Sequence, residues 1–72
     1  MSDQSNTAAS DVEYNIVTTL SNLLQAQDVV ETYAEDAREA GDEELAAIFD
    51  GINNSNHEFA VRLRQQLHKL MH

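Results

Sequence analysis

The chain contains no cysteine, which excludes disulfides and thiolate metal sites. Lysine and arginine are also scarce, four against 13 acidic residues, and the formal net charge of −9 argues against binding nucleic acid or an anionic membrane surface. No stretch approaches the roughly 18 apolar residues of a membrane span, and residues 1–7 lack the basic start and apolar segment of a secretory signal. One small domain in the cytoplasm is therefore expected.

Apolar residues recur at alternating spacings of four and three on both sides of Gly41-Asp42. Residues three and four apart share one face of an α-helix, so each half of the chain should form one helix with one apolar seam. The seam residues are Ile16, Leu20, Leu23, Gln27, Val30, Ala34 and Ala37 in the first half, and Leu45, Phe49, Ile52, Asn56, Phe59, Leu63, Gln66 and Leu70 in the second. The pattern predicts an all-α fold, an antiparallel two-helix hairpin that dimerises into a four-helix bundle.

Local signals set the boundaries of the predicted helices. The N-terminal residues are polar and aperiodic, which is typical of a disordered tail, and Ser10 with Glu13 forms an S-x-x-E capping box. Gly41 suits a left-handed C′ position, and Asp42 suits the N-cap of the next helix. The predicted parts are a disordered tail at 1–9, helix 1 at about 11–40, a turn at 41–42 and helix 2 at about 43–70.

Helix 2 contains one segment that argues for an interruption. Gly51 could end a helix, and the Asn and Ser residues after it could cap a new one, which leaves open a kink at 51–55 or a third helix. Against this, the heptad keeps its phase from Phe49 to Leu63, and a break would usually shift it. A continuous helix 2 is the prediction.

Each seam contains one interior polar residue at nearly the same distance from the turn. Gln27 lies 14 positions before Gly41, and Asn56 lies 15 after it. They are interpreted as a polar pair in the core that sets the register of the hairpin, as buried amides do in coiled coils. A ligand site is the alternative.

The run Tyr33-Ala34-Glu35-Asp36-Ala37-Arg38-Glu39-Ala40-Gly41, followed by Glu44-Leu45-Ala46-Ala47-Ile48-Phe49, resembles the first helical hairpin of rubrerythrin and other ferritin-like proteins, including the short encapsulated ferritins. The resemblance implies a four-helix unit built from two hairpins. It also implies a di-iron site held by a helix-1 Glu and an E-x-x-H motif. Those ligand positions are Leu23, Asn56 and Phe59 here, so the iron ligands are not matched.

Acidic residues on helix 1 are the remaining metal candidates. Glu31 and Glu35 belong to an acidic stripe that could bind a divalent cation or a basic protein, with His57 or Glu58 contributing across a subunit boundary. A solvated acidic face is the simpler interpretation. His68 and His72 are four apart and could hold a metal adventitiously. No cofactor is predicted, and iron or another divalent metal is the alternative.

A partner is expected because the apolar stripes are wider than one seam and two helices cannot cover them. The turn end is acidic and the open end carries Arg62, Arg64 and Lys69, which favours an antiparallel homodimer. The predicted interface residues are Ile16, Leu20, Leu23, Leu24, Phe49, Ile52, Phe59, Leu63 and Leu67.

No catalytic set is visible, so the sequence favours a non-catalytic scaffold, adaptor or regulatory subunit that acts through self-association and protein–protein contacts. Two alternatives remain. One is a ferritin-like protein that binds or oxidises iron with displaced ligands at a dimer interface. The other is a small acidic subunit that binds a larger, basic protein.

Overall fold

The fold is an antiparallel helical hairpin. The computed structural model describes the backbone of residues 4–70 and the side chains of residues 11–70. Helix α1 spans Gln4–Glu39 and helix α2 spans Glu43–Leu70, with no other element in this part of the chain. The described part measures 54 × 25 × 13 Å, and its thickness is close to one helix diameter of about 10–12 Å. The predicted all-α hairpin is therefore confirmed.

The start of α1 differs from the prediction. The helix begins at Gln4, so a disordered tail reaching to residue 9 and a helix start after Ser10 are wrong; residues 1–3 lie outside the described residues. Helix formation is cooperative, and adding a residue to an existing helix is far easier than nucleating one. Residues 4–10 contain neither Gly nor Pro to stop this extension, and they include two alanines. A capping-box pattern therefore marks a helix start only where the chain cannot continue the helix upstream.

The turn forms through paired capping motifs. Gly41 has a φ of +81°, and its N–H donates to the Arg38 carbonyl (2.9 Å) while the N–H of Asp42 donates to the Ala37 carbonyl (2.8 Å). These two bonds define a Schellman motif, which needs a left-handed residue and therefore favours glycine. The Asp42 Oδ1 atom then accepts from the N–H of Leu45 at 3.0 Å, as an N-cap does. Both predicted caps are present, and they hold the helix ends close together.

The seam of α2 is shifted from its predicted position. The inward residues are Ala46, Phe49, Asn53, Asn56, Ala60, Leu63 and Leu67. Phe49, Asn56 and Leu63 belong to both patterns, whereas Leu45, Ile52 and Phe59 lie one position away and are exposed. Alanine at the seam lets the backbones of two tightly connected helices approach, and bulkier side chains there would separate them. On α1 the inward residues follow the predicted heptad, from Ile16 to Ala37.

The core is thin. Its buried hydrophobic residues are Ile16, Leu20, Ala34, Ala37, Ala46 and Ala60, and no large side chain among the described residues is fully buried. Near the open end, Leu23, Leu63 and Leu67 pack around the cluster of Ile16, Leu20 and Ala60. Burying an alanine removes little apolar area from water, so this core contributes little to the free energy of unfolding compared with that of a larger domain.

Helix α2 is continuous through Gly51, so the described part of the chain has no third helix. A Cβ added at Gly51 would meet nothing within 4 Å, so this glycine is not required by packing. Neither described helix contains a segment long and apolar enough to cross a membrane.

Candidate interaction surface

The hairpin has two long faces, which lie on opposite sides of the seam. Arg38 of α1 and Asp50 of α2 form an ion pair across one of them. Tyr33 and Phe49 bring their ring centroids within 5.7 Å of each other. Tyr33 is five residues before Arg38, which places it about 140° around α1 and therefore on the other face. Helical spacing from these markers assigns the remaining side chains to one face or the other.

The face marked by Tyr33 is apolar. Its large side chains are Val29, Tyr33, Leu45, Ile48, Ile52 and Phe59, and this set is called the apolar face below. Ile48 is 55% exposed and Phe59 is 53% exposed, although both are large and apolar. Single exposed apolar residues are ordinary, but a contiguous set spanning two helices usually marks an interface. Asp36 and Arg62 provide charge at its margins.

The opposite face carries charged side chains together with the exposed Val17, Leu24 and Val61. The acidic stripe of Asp28, Glu31, Glu35 and Glu39 lies on this side of α1, next to Arg38, and all of these residues are exposed. Its α2 side carries Asp50, His57 and Arg64. We call this side the charged face. Its exposed ion pair is held in a high-dielectric environment and contributes about 0–1 kcal/mol to stability.

The metal candidates do not converge within one hairpin, so a site built from them would need a second chain, as predicted across a subunit boundary. The hydrogen bond from Asn53 to the Gln27 carbonyl fixes the register of the two helices, so His57 lies level with Leu23. At about 1.5 Å per residue, Glu31 is about 12 Å further along the hairpin than His57, and Glu35 is further still. Glu58 points away from the seam. Among the described residues, no group of three or more His, Cys, Asp or Glu side chains could hold a metal ion; His72 lies outside them.

The polar layer of the core differs from the predicted amide pair. Gln27 and Asn56 are both half-buried in the seam, but the bond at this layer comes from Asn53, whose Nδ2 donates to the Gln27 backbone carbonyl at 3.1 Å. The Oδ1 atom of Asn53 is buried and has no hydrogen-bond partner among the described residues. Sequence reasoning missed Asn53 because its seam was placed on Ile52. The spacing of Asn53 from Ala46 and Ala60, seven residues each, was the available signal.

The three positions at which the ferritin-like resemblance places iron ligands separate in the hairpin. Leu23 packs against the core cluster and Asn56 is half-buried in the seam, whereas Phe59 lies on the apolar face. Phe59 therefore does not lie in the seam of its own hairpin, where the sequence pattern placed it. Its ring instead lies under the Arg62 guanidinium, whose Cζ is 5.8 Å from the ring centroid. The two residues line an open depression of about 300 Å³.

The predicted interface set mixes two kinds of residue. Ile16 and Leu20 are buried within the hairpin, and Leu23, Leu63 and Leu67 pack against them, so these five serve the intrachain core. Phe49 is half-buried beside Tyr33. The exposed members are Ile52 and Phe59 on the apolar face and Leu24 on the charged face. Val29 and Tyr33 were missed, although with Ala26 they form a second stripe at spacings of three and four on α1.

Comparison with known proteins gives no relative for this chain, because no protein-family model, no curated protein and no solved structure matches it.

Proposed function

We propose that this chain is a non-catalytic hairpin protein that self-associates into a four-helix bundle and acts as a scaffold or adaptor through its surfaces. The observation that carries the proposal is the apolar face, which runs along both helices beside a core made mostly of alanine. A 72-residue chain buries only about 60% of its unfolded surface. Covering the apolar face would add the burial that the hairpin core lacks.

A second copy of the hairpin is the simplest partner that could bury the apolar face. Four-helix bundles bury an apolar stripe on every helix, and two hairpins supply the four helices without a further chain type. Closed two-fold dimers are also the commonest assembly of soluble proteins. The resemblance of residues 33–49 to ferritin-like hairpins supports the same architecture, since some members of that superfamily build one bundle from two hairpins. The charged face stays on the outside of such a dimer, where it would bind a basic partner.

The experiment is sedimentation equilibrium of the purified chain over a range of micromolar concentrations. The mass of one chain is 8.0 kDa, and the proposal expects twice this value. A folded, helical species that stays at the mass of one chain throughout the range would refute self-association. Repeating the measurement with a chelator distinguishes the scaffold from the metal-binding alternative. A scaffold held by apolar contacts should keep its mass and helicity when divalent metals are removed.

A further inference from the structure

The apolar face has an internal symmetry that is visible first on α2. Leu45, Ile52 and Phe59 are spaced seven residues apart, so they lie on one side of the helix with Ile52 in the middle. If two copies of α2 pack antiparallel about an axis at Ile52, each Ile52 meets its equivalent. Each Leu45 then meets the Phe59 of the second copy. Every large side chain of this row obtains an apolar partner.

The stripe on α1 shows the same arrangement. Val29 lies between Ala26 and Tyr33, three residues after one and four before the other. Rotation about Val29 brings the small Ala26 of one copy opposite the large Tyr33 of the other. Alternation of large and small residues at facing positions is what close packing between helices needs.

The two centres of symmetry coincide in space. The hydrogen bond from Asn53 to the Gln27 carbonyl puts residues 53 and 27 at one level of the hairpin, and therefore puts Ile52 level with Asp28. Val29 is one residue from that level, a difference of about 1.5 Å along the helix axis. One two-fold axis, perpendicular to both helices, can therefore pass through Val29 and Ile52 together.

Charge selects the antiparallel arrangement. Arg62 is ten residues after Ile52 and Asp42 is ten residues before it, so the rotation brings Arg62 level with the acidic turn of the second copy, at Asp42, Glu43 and Glu44. Arg62 is already held at the margin of the apolar face by its contact with Phe59. With both turns at one end, the acidic turns would instead repel each other and Arg62 would face the region of Thr18, which carries no acid.

We infer that the apolar face binds the same face of a second copy of this chain, in the antiparallel sense, about a two-fold axis through Val29 and Ile52. The inference rests on the self-association proposed above and adds its surface, direction and register. Arg62 then lies against the acidic turn of the other copy, and the charged face points outward on both sides of the dimer.

Cysteine cross-linking tests the register, since the natural chain has no cysteine. A residue on a two-fold axis meets its own equivalent, so Ile52→Cys and Val29→Cys should each form disulfide-linked dimers on mild oxidation. Leu24→Cys is the matched control, because Leu24 is 44% exposed against 42% for Ile52 but lies on the charged face. It should remain uncross-linked at the same protein concentration.

The outcomes are distinct. A wild-type chain that is monomeric refutes the proposed function itself. A dimer in which neither Ile52→Cys nor Val29→Cys links to itself leaves self-association standing and overturns this inference. Linkage only in a mixture of the Ile52→Cys and Val29→Cys chains would show the parallel arrangement, with both turns at one end, and would overturn it as well.

Charge reversal provides an independent measurement. Arg62→Glu should weaken the dimer about 3- to 10-fold by sedimentation, and the effect should shrink at high salt, because the new acid faces the acidic turn of the second copy. Arg64→Glu makes the same change of charge on the charged face and should change the dissociation constant less than twofold. Equal effects of the two variants would contradict the predicted position of Arg62.

Discussion

Replacing Asn53 by leucine should stabilise the hairpin. Asn53 lies in the seam, where its Nδ2 atom donates to the Gln27 carbonyl while its Oδ1 atom is buried without a partner among the described residues. An unpaired buried acceptor costs about 1–3 kcal/mol, whereas a hydrogen bond of this kind contributes about 0.5–1.5 kcal/mol. The Gln27 carbonyl lies within α1 and therefore has a helical partner when the amide is removed.

The leucine also adds apolar contact. Full burial of a leucine side chain stabilises a fold by about 1.5–3 kcal/mol. Because the site is half-buried, we expect the leucine to contribute about 1 kcal/mol. The free energy gained by removing the unpaired oxygen and by adding apolar contact is larger than the free energy lost with the hydrogen bond. The free energy of unfolding of Asn53→Leu should therefore rise by about 1–2 kcal/mol.

Urea unfolding followed by circular dichroism measures this change, at one fixed protein concentration because association would shift the apparent stability. Asn54→Leu is the control, because Asn54 is the exposed neighbour of Asn53. Its free energy of unfolding should differ from that of the wild type by no more than about 0.5 kcal/mol. Asn53→Asp keeps the shape but sets a carboxylate against the Gln27 carbonyl, so it should cost about 2 kcal/mol or more. A loss of stability in Asn53→Leu, with an unchanged urea m-value, would refute the idea that the buried oxygen is a net cost.

Three further predictions concern the turn and the seam, and thermal or urea unfolding measures each. Gly41→Ala should lower the free energy of unfolding by about 1–2 kcal/mol, because φ is +81° at this residue. Gly51→Ala should raise it by about 0.5–1 kcal/mol, because Gly51 is helical and its added Cβ meets nothing. Equal effects of the two variants would contradict the left-handed cap. Asp42→Ala should cost about 1 kcal/mol through the lost N-cap, and an unchanged stability would argue against that bond. Ala46→Leu should overpack the seam and cost about 1–3 kcal/mol, whereas Ala47→Leu, on the exposed side, should change stability little.

Much of the fold could be predicted from local signals. Gly41 and Asp42 specify the turn through a backbone conformation and a capping bond that depend on one residue each. The α1 seam was also predictable, because the apolar heptad that runs from Ile16 to Ala37 coincides with the side of the helix that faces α2. The beginning of α1 was not, since Ser10 satisfies a capping pattern while the upstream residues can equally well continue the helix.

The phase of α2 shows why the candidate surface was harder to predict. Two heptads run side by side on this helix and share Phe49, Asn56 and Leu63. One includes the bulky Leu45, Ile52 and Phe59, and the other the small Ala46 and Ala60. Hydrophobicity favours the first, but the short turn brings the backbones together and therefore places the alanines inside. Knowing which of two adjacent stripes faces the partner helix requires the interhelical distance, which a single sequence does not contain.

The shift of the α2 seam by one position also changes where the ligand positions implied by the ferritin-like resemblance lie. In an E-x-x-H pair, both residues must point into one bundle interior. Here Asn56 faces α1, whereas Phe59 lies on the apolar face, so one hairpin alone does not enclose both positions. In the proposed dimer, Phe59 packs against Leu45 of the second copy and fills that layer with apolar side chains. The resemblance therefore implies leucine, amide and phenyl groups, from Leu23, Asn56 and Phe59, at its three ligand positions, and the proposed dimer would use the phenyl group of Phe59 as a contact between the two copies.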